Sequence, residues 1–393
     1  MKALDIIKRP LKNAQFCKGL MFYVVLSCLA VLPASAAEYI VAPSITARET
    51  YDDNVFYYDV EDFEHLVSPA LDLEFRTERG KVQASLNGDI SEYQSHNELD
   101  TVDQSHQISA VFTTATSQIG VSGNYVRDYT FTSALEELGV AAERSIRTAT
   151  QIQPNIRIEL DPHNSLECFY RLNKTQHRLD TYPDYRNQDL NIIYIHKLKN
   201  ELTSLALQLG GSQADYAIGN ETGKHQALQI LAGIDHPVSE TFKLTLKAGV
   251  RYTESDFPGA GVERDEAVVI NSGFLWGFER ITVSANVTRD FSSSIYGEDV
   301  TRDRISATLR YRIKENLSCA LTAAYNQSET EGFYQKEKSK YYSVMPSVDY
   351  RFNEYVSMQV GCSYNKTENK ITDQSEDRNR VFVQISAVYP LHY

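Results

Sequence analysis

Cysteine is scarce: the chain has five among 393 residues, and only Cys168, Cys319 and Cys362 lie beyond its first thirty positions. No CxxC pair and no Cys/His cluster with ligand spacing occurs, which excludes a zinc module and a dense disulfide framework. The three read as small apolar side chains on strands. Long apolar runs are missing after Leu32, and the mean hydropathy of −0.38 excludes a bundle of membrane-spanning helices, though not a barrel of half-apolar strands. Basic residues are outnumbered, 39 against 52 acidic, for a net charge of −13. Since the first 37 residues hold five bases and Asp5, the remainder sits near −17, the wrong sign for a nucleic-acid partner. No GxSxG, HExxH or phosphate-binding loop is present. His106, His177 and His225 fall in unrelated segments, so no enzyme and no cofactor are expected. Acidic residues crowd Asp52 to Glu64 without the spacing of a calcium loop, and no metal site is expected there.

What is present begins with a secretion signal over residues 1–37. Lys2, Lys8, Arg9, Lys12 and Lys18 form its basic head, Leu20 to Leu32 its apolar segment, and Pro33-Ala34-Ser35-Ala36 its small-residue cleavage region. A lipoprotein signal at Val25-Leu26-Ser27-Cys28 fits less well, because the apolar run continues past Cys28. Residues 38–393 are then the mature domain.

From Ile40 onward, apolar and polar residues alternate in segments of about ten, the period of a strand with one covered face. Ile281, Val283, Ala285 and Val287 alternate with Thr282, Ser284, Asn286 and Thr288; Ile305, Ala307, Leu309, Tyr311 and Ile313 alternate with Ser306, Thr308, Arg310 and Arg312. Short turns, such as Thr77 to Gly80, Asp161 to Asn164 and Asn353-Glu354, recur about every 40 residues. Longer polar stretches separate them: 52–64, 94–105, 130–145, 178–187, 217–223, 254–264, 291–301, 329–340 and 368–378. Eight short turns and nine long loops imply 18 strands. No segment offers a layer to cover so much apolar sheet, so lipid must cover it, and closure must remove the unpaired edges. The expected fold is all-β: a transmembrane antiparallel β-barrel in the outer membrane of a Gram-negative bacterium, with short periplasmic turns and longer extracellular loops.

The alternation places Lys243, Lys247, Arg251, Arg310, Arg312, Arg171 and Arg157 on the inner face, with Asp72, Glu74, Glu159, Glu167 and Asp349. These charges either give one wall of a pore a positive field or pair with one another and only keep the wall hydrated. Tyr93, Tyr125, Tyr216, Tyr252, Tyr325 and Tyr364 read as an aromatic girdle at the loop end; Phe75, Phe274, Trp276, Tyr311, Phe352 and Tyr389 read as one at the turn end. The longest loop, Thr130 to Ser145, carries Ser133-Ala-Leu-Glu136, a capping-box spacing for a short helix that either folds into the pore or lies on its rim.

The closing strand runs from Arg380 to Tyr393. Val381, Val383, Ile385, Ala387, Tyr389, Leu391 and Tyr393 share one apolar face. With Tyr389, Leu391 and Tyr393 at its end, this strand resembles the C-terminal signal read by the machinery that assembles outer-membrane barrels. After the first strand comes Tyr51-Asp52-Asp53-Asn54-Val55-Phe56, whose bland reading is a turn opening the first loop. The pattern Tyr51, Asp53, Asn54, Phe56 also resembles the start of a family of outer-membrane β-barrel porins that accompany exopolysaccharide synthesis and export. The resemblance implies a passive conduit for an exported polysaccharide, doing no chemistry and working with a periplasmic export lipoprotein. A general or solute-selective diffusion porin and a structural or adhesive surface barrel are the alternatives.

Overall fold

The computed structural model describes residues 37–392 except 131–143, 180, 201, 219–220, 258–260, 294–298, 332–335 and 372. The signal segment therefore falls outside the described residues, as do Tyr393 and most of the loop at 131–143.

The first nine strands are β1 (Glu38–Asp52), β2 (Asp62–Arg76), β3 (Gly80–Tyr93), β4 (Thr101–Thr113), β5 (Ser117–Tyr129), β6 (Ile146–Glu159), β7 (Asn164–His177), β8 (Asp184–Lys197) and β9 (Ser204–Ile218). The second nine are β10 (Glu221–Pro237), β11 (Phe242–Phe257), β12 (Gly261–Gly277), β13 (Ile281–Ser293), β14 (Asp299–Lys314), β15 (Leu317–Glu331), β16 (Lys336–Arg351), β17 (Val356–Asn369) and β18 (Gln374–Val388). Each pairs antiparallel with the next, and β1 pairs with both β2 and β18, so the sheet closes into an 18-stranded barrel. Leu391–His392 continues β18 in the same register on β1 after a break at Pro390, which has no N–H for the ladder. Closure leaves no strand at a free edge of the sheet, the condition for β-structure in lipid.

The two faces separate cleanly. On β9, Leu205, Leu207 and Leu209 stand on the outside, about half exposed, while Gln208 and Ser212 face in. Ile45, Leu246, Val250, Val268, Leu309, Leu321, Val360, Val381 and Ile385 complete the exposed aliphatic belt. A surface of this kind is stable only against hydrocarbon. Cys168, Cys319 and Cys362 share its parity and are unpaired thiols. Tyr252, Trp276, Tyr311, Tyr364 and Tyr389 mark its borders from outside. Tyr93 and Tyr216 do not belong to a girdle: they point inward and are 5% and 4% exposed. Period-2 placement at a strand end does not tell the two faces apart unless the register is known.

Several stretches read as long loops are strand. β11 and β12 run on to Phe257 and from Gly261, and β15 and β16 to Glu331 and from Lys336. The strands have 13–17 residues, beyond the roughly 9–11 needed to cross a bilayer. Past the headgroups neither face has to be apolar, so the alternation disappears while the main-chain ladder continues. Cross-strand ion pairs decorate these extensions: Glu254–Arg264 at 2.9 Å and Glu329–Lys338 at 2.7 Å. At the opposite end the turns are tight. Asp161 accepts from the amides of His163 (2.8 Å) and Asn164 (2.9 Å), and Asn353 from those of Tyr355 and Val356 (both 2.8 Å).

Candidate functional site: the lumen wall and the clasped mouth

The register puts Lys243, Lys247 and Arg251 on the face opposite Leu244, Leu246 and Val250. The same parity turns Arg310 and Arg312, Arg157, Arg171, Asp72, Glu74 and Asp349 inward. They do not form one constellation. Arg171, Lys247 and Arg251 line a single recess of ≈480 Å³ at mid-height of the wall. Arg310, Arg312 and Asp349 share another of ≈250 Å³ near the turn end, and Asp72 and Glu74 a third of ≈270 Å³ on the opposite wall.

Pairing divides these charges in a way the sequence does not reveal. Arg157 meets Glu159 at 2.8 Å and Glu167 at 3.0 Å. Glu74 is held by Arg76 (2.5 Å), Lys81 (3.3 Å) and Gln83 (2.9 Å), and Asp128 by Arg147 (2.7 Å). Arg48 reaches Glu64 at 3.5 Å, and Asp290 is taken by Arg304. Lys243, Lys247 and Arg310, by contrast, have neither an ion pair nor a hydrogen bond among the described residues. Arg171 donates Nε to Gln153 (2.9 Å), an uncharged partner, and Arg312 donates to the Glu279 carbonyl (2.5 Å). Arg251 donates towards the Phe291 carbonyl (3.5 Å), stands 3.1 Å from His225 Nε2 and lies 5.0 Å from the Phe291 ring. The β11–β14 wall therefore carries uncompensated positive charge inside a protein whose formal net charge is −13.

The second feature is at the loop end, where the first and last strands meet. Tyr51 faces outward and donates its hydroxyl to Glu61 (2.8 Å). Asp52 turns inward and receives Arg378 Nε at 3.0 and 2.9 Å and also Arg378 Nη2. Asp53 extends the ladder past β1: its N–H donates to the Asn379 carbonyl (3.1 Å), and its carboxylate accepts the Asn379 amide (2.6 Å) and side chain (2.7 Å). Asn54 donates to the Asp377 carbonyl (2.8 Å) and accepts the Asp59 amide (2.8 Å). Val55 and Phe56 then pack with Tyr93 and Leu99 into a small core. The Arg378 guanidinium lies 5.5 Å from the Phe56 ring and 5.9 Å from that of Tyr57. Phe56, Tyr57 and Asp59 adopt left-handed φ of 51°, 61° and 57°, a backbone cost that this packing has to hold.

The stretch read as a plain turn is thus a clasp over the seam. Its key members, Asp52, Arg378 and Tyr57, were not picked out by sequence. Arg378 was hidden at the end of a polar stretch read as loop, and only its partner 326 positions away gives it meaning. Burial pushes the Tyr57 phenol well above its usual range, with the Tyr341 hydroxyl adding to the effect. Beside the clasp, Asp62 accepts the amides of Ser95 (3.0 Å) and His96 (2.9 Å) and orders the second loop.

The other sites fall as follows. Tyr389 lies on the outer surface, its ring tilted against that of Tyr355 at 5.2 Å, and its amide donates to the Pro43 carbonyl (3.0 Å); Leu391 stands opposite Val41. The stem of the longest loop is closed by Thr130 and Ser145, whose backbone bond is 2.8 Å, and Arg144 covers the Tyr129 ring at 4.6 Å.

No protein-family model matches the chain, and no curated protein matches it. Solved structures do. OccAB3 of Acinetobacter baumannii aligns over 90% of this chain and 99% of its own at 11% identity, with a TM-score of 0.47. OccK2 of Pseudomonas aeruginosa aligns over 90% and 98% at 10% identity and 0.49, and the copper transporter OprC over 86% and 64% at 8% and 0.50. Likeness at this identity is likeness of fold. The closed sheet and the exposed aliphatic belt define the class, and the likeness in fold to OprC agrees with it: an outer-membrane β-barrel of porin-like architecture, seated in the outer membrane of a Gram-negative bacterium.

Proposed function

We propose that the protein is a passive conduit through which a secreted polysaccharide leaves the cell. The observation that carries this reading is the inner wall: polar on every strand, with unpaired cations over β11–β14 and recesses of ≈250 to ≈480 Å³ along its height. Such a wall favours weak, repeated contacts with a hydrated, preferably anionic polymer over tight capture. The resemblance at Tyr51, Asp53, Asn54 and Phe56 supports an exopolysaccharide as cargo and a periplasmic export lipoprotein as partner. The barrel does no chemistry; synthesis and the periplasmic partner drive the polymer. Deleting the gene should abolish or sharply reduce secreted polymer while leaving small-solute uptake intact. Normal secretion in the deletion strain overturns the export reading.

A solute-selective diffusion porin is the second reading, favoured by the small-molecule size of the same recesses. Loss of growth on a particular anionic solute in the deletion strain, with unchanged polymer, selects it.

A further inference from the structure

The recess at mid-height, among β7 to β13, is built differently from the rest of the wall. Gly210 forms part of its floor: a Cβ there would come within 2.5 Å of Asn191 Oδ1 and 2.7 Å of Gln229 Nε2. Its absence makes room for the Asn191 and Gln229 amides over the strand. Gln208 (2.8 Å) and Gln229 (3.3 Å) both donate to Asn191 Oδ1, which fixes the orientation of Asn191 and leaves its amino group without a hydrogen bond among the described residues. Around this amide floor stand the cations. Arg171 uses only Nε, so the two-nitrogen edge of its guanidinium is open. Lys247 makes no bond, nor does Asn271, its cross-strand partner on β12. Of the two carboxylates present, Asp290 is bound by Arg304, and Asp189 faces Arg171 across the ladder. The balance is an excess of positive charge beside fixed hydrogen-bonding amides. Phe169 supplies an apolar face 5.8 Å from the Arg171 guanidinium.

We infer that this recess is a binding subsite for an acidic sugar residue, with the carboxylate on Arg171 and Lys247 and the ring hydroxyls on the Asn191–Gln208–Gln229 amides and Asn271. An open guanidinium edge matches a carboxylate in two parallel bonds, and a nearby ammonium adds charge without geometry. Preset amides match neutral hydroxyls, and an aromatic face suits the C–H side of a pyranose. A bare inorganic anion uses the first pair of features and leaves the amides idle. The ≈480 Å³ volume is that of a small-molecule site. As a cargo contact, the subsite rests on the conduit reading and narrows it to polymers bearing uronic-acid-type units.

The test is calorimetric titration of the full chain, purified in detergent, with a trimer of galacturonic acid, with maltotriose as its neutral counterpart, and with acetate. The acidic trimer should bind at least about tenfold more tightly than either, and Arg171→Gln with Lys247→Gln should remove that advantage. If the double variant fails to assemble, Lys247→Gln alone carries the test, since its ammonium holds nothing in place. Equal affinity for the neutral trimer, equal affinity for acetate, or unchanged binding in the variant each overturns the subsite. Conductance of the same protein in a planar bilayer keeps the two readings apart. A conducting barrel without acidic-sugar binding removes the subsite and leaves the conduit; binding in a barrel that does not conduct removes the conduit and leaves the subsite.

Discussion

Asp52 and Arg378, 326 residues apart, share a buried two-pronged ion pair, with side chains only 3% and 7% exposed. A closed barrel has one junction that no turn covers, the seam between its first and last strands. Within the bilayer the β1–β18 ladder holds that seam; above it water competes for the main-chain groups. The Asp52–Arg378 pair, the Asp53–Asn379 bridge and the Asn54 bond to the Asp377 carbonyl stand where that competition begins.

Breaking the pair from one side should be worse than replacing both partners. Asp52→Ala leaves a buried guanidinium without its anion, at a cost of about 3–5 kcal/mol. Replacing both, Asp52→Leu with Arg378→Met, removes the charge as well as the bond and should recover much of that loss. The temperature at which the folded barrel loses its compact mobility on a denaturing gel measures both. A double variant as labile as Asp52→Ala would show that packing around Phe56, and not the ion pair, holds the seam.

Tyr57 should make the mouth sensitive to alkali. Its phenol is raised above the usual value by burial, so the folded clasp holds the proton more tightly than the open chain. Stability from a raised group is complete below the unfolded value, near 10, and is lost as pH climbs from there towards the folded one. Proteolytic cleavage within residues 53–61 should therefore accelerate above about pH 10. In Tyr57→Phe that rise should shrink, because the most deeply buried phenol of the loop is gone while Tyr58, also raised by burial, keeps its own. A rise of equal size in the variant would assign the effect to another group.

The barrel was legible because its signal is local: period 2 and connector length are written within some twenty residues, and they sufficed for 18 strands. Strand ends were not legible, since Glu329 to Glu331 and Lys336 to Lys338 are polar on both faces and look like loop although they are paired strand. Inward parity of Lys247 and Arg310 followed from alternation, but pairing did not. Arg157 finds Glu167 across the β6–β7 ladder, whereas Arg310 faces Thr282 and Ala320 and finds no anion. Charge balance in a lumen is a property of register, and one sequence carries register only indirectly.

The inward bases of β11 should set ion selectivity. Replacing Lys243, Lys247 and Arg251 together with glutamate reverses the sign of that stretch of the wall, so a channel preferring anions should come to prefer cations. Screening lengths fall from about 10 Å at 0.1 M salt to about 3 Å at 1 M, so the change should be large at the lower concentration and much reduced at the higher. Reversal potentials across a salt gradient read both. An unchanged potential at 0.1 M would remove these residues from the ion path.

The assignment of faces can be tested with one change of side chain at two adjacent positions. Leu207 stands 46% exposed in the outer belt, while Ala206 on the same strand faces in. Arginine at Leu207 has to bring a guanidinium to the lipid face, at a cost of up to about 2–4 kcal/mol that falls towards the interface. Arginine at Ala206 enters a polar lumen and should cost well under about 1 kcal/mol, the scale of substitutions away from packed interiors. Both variants add the same charge at neighbouring positions of one strand, so most of their difference reports the solvent each side meets. Denaturant titration of the barrel folded into lipid vesicles gives it directly. Equal destabilisation, or a larger cost at Ala206, would mean that the lumen at this height is closed by packing and is not filled with water.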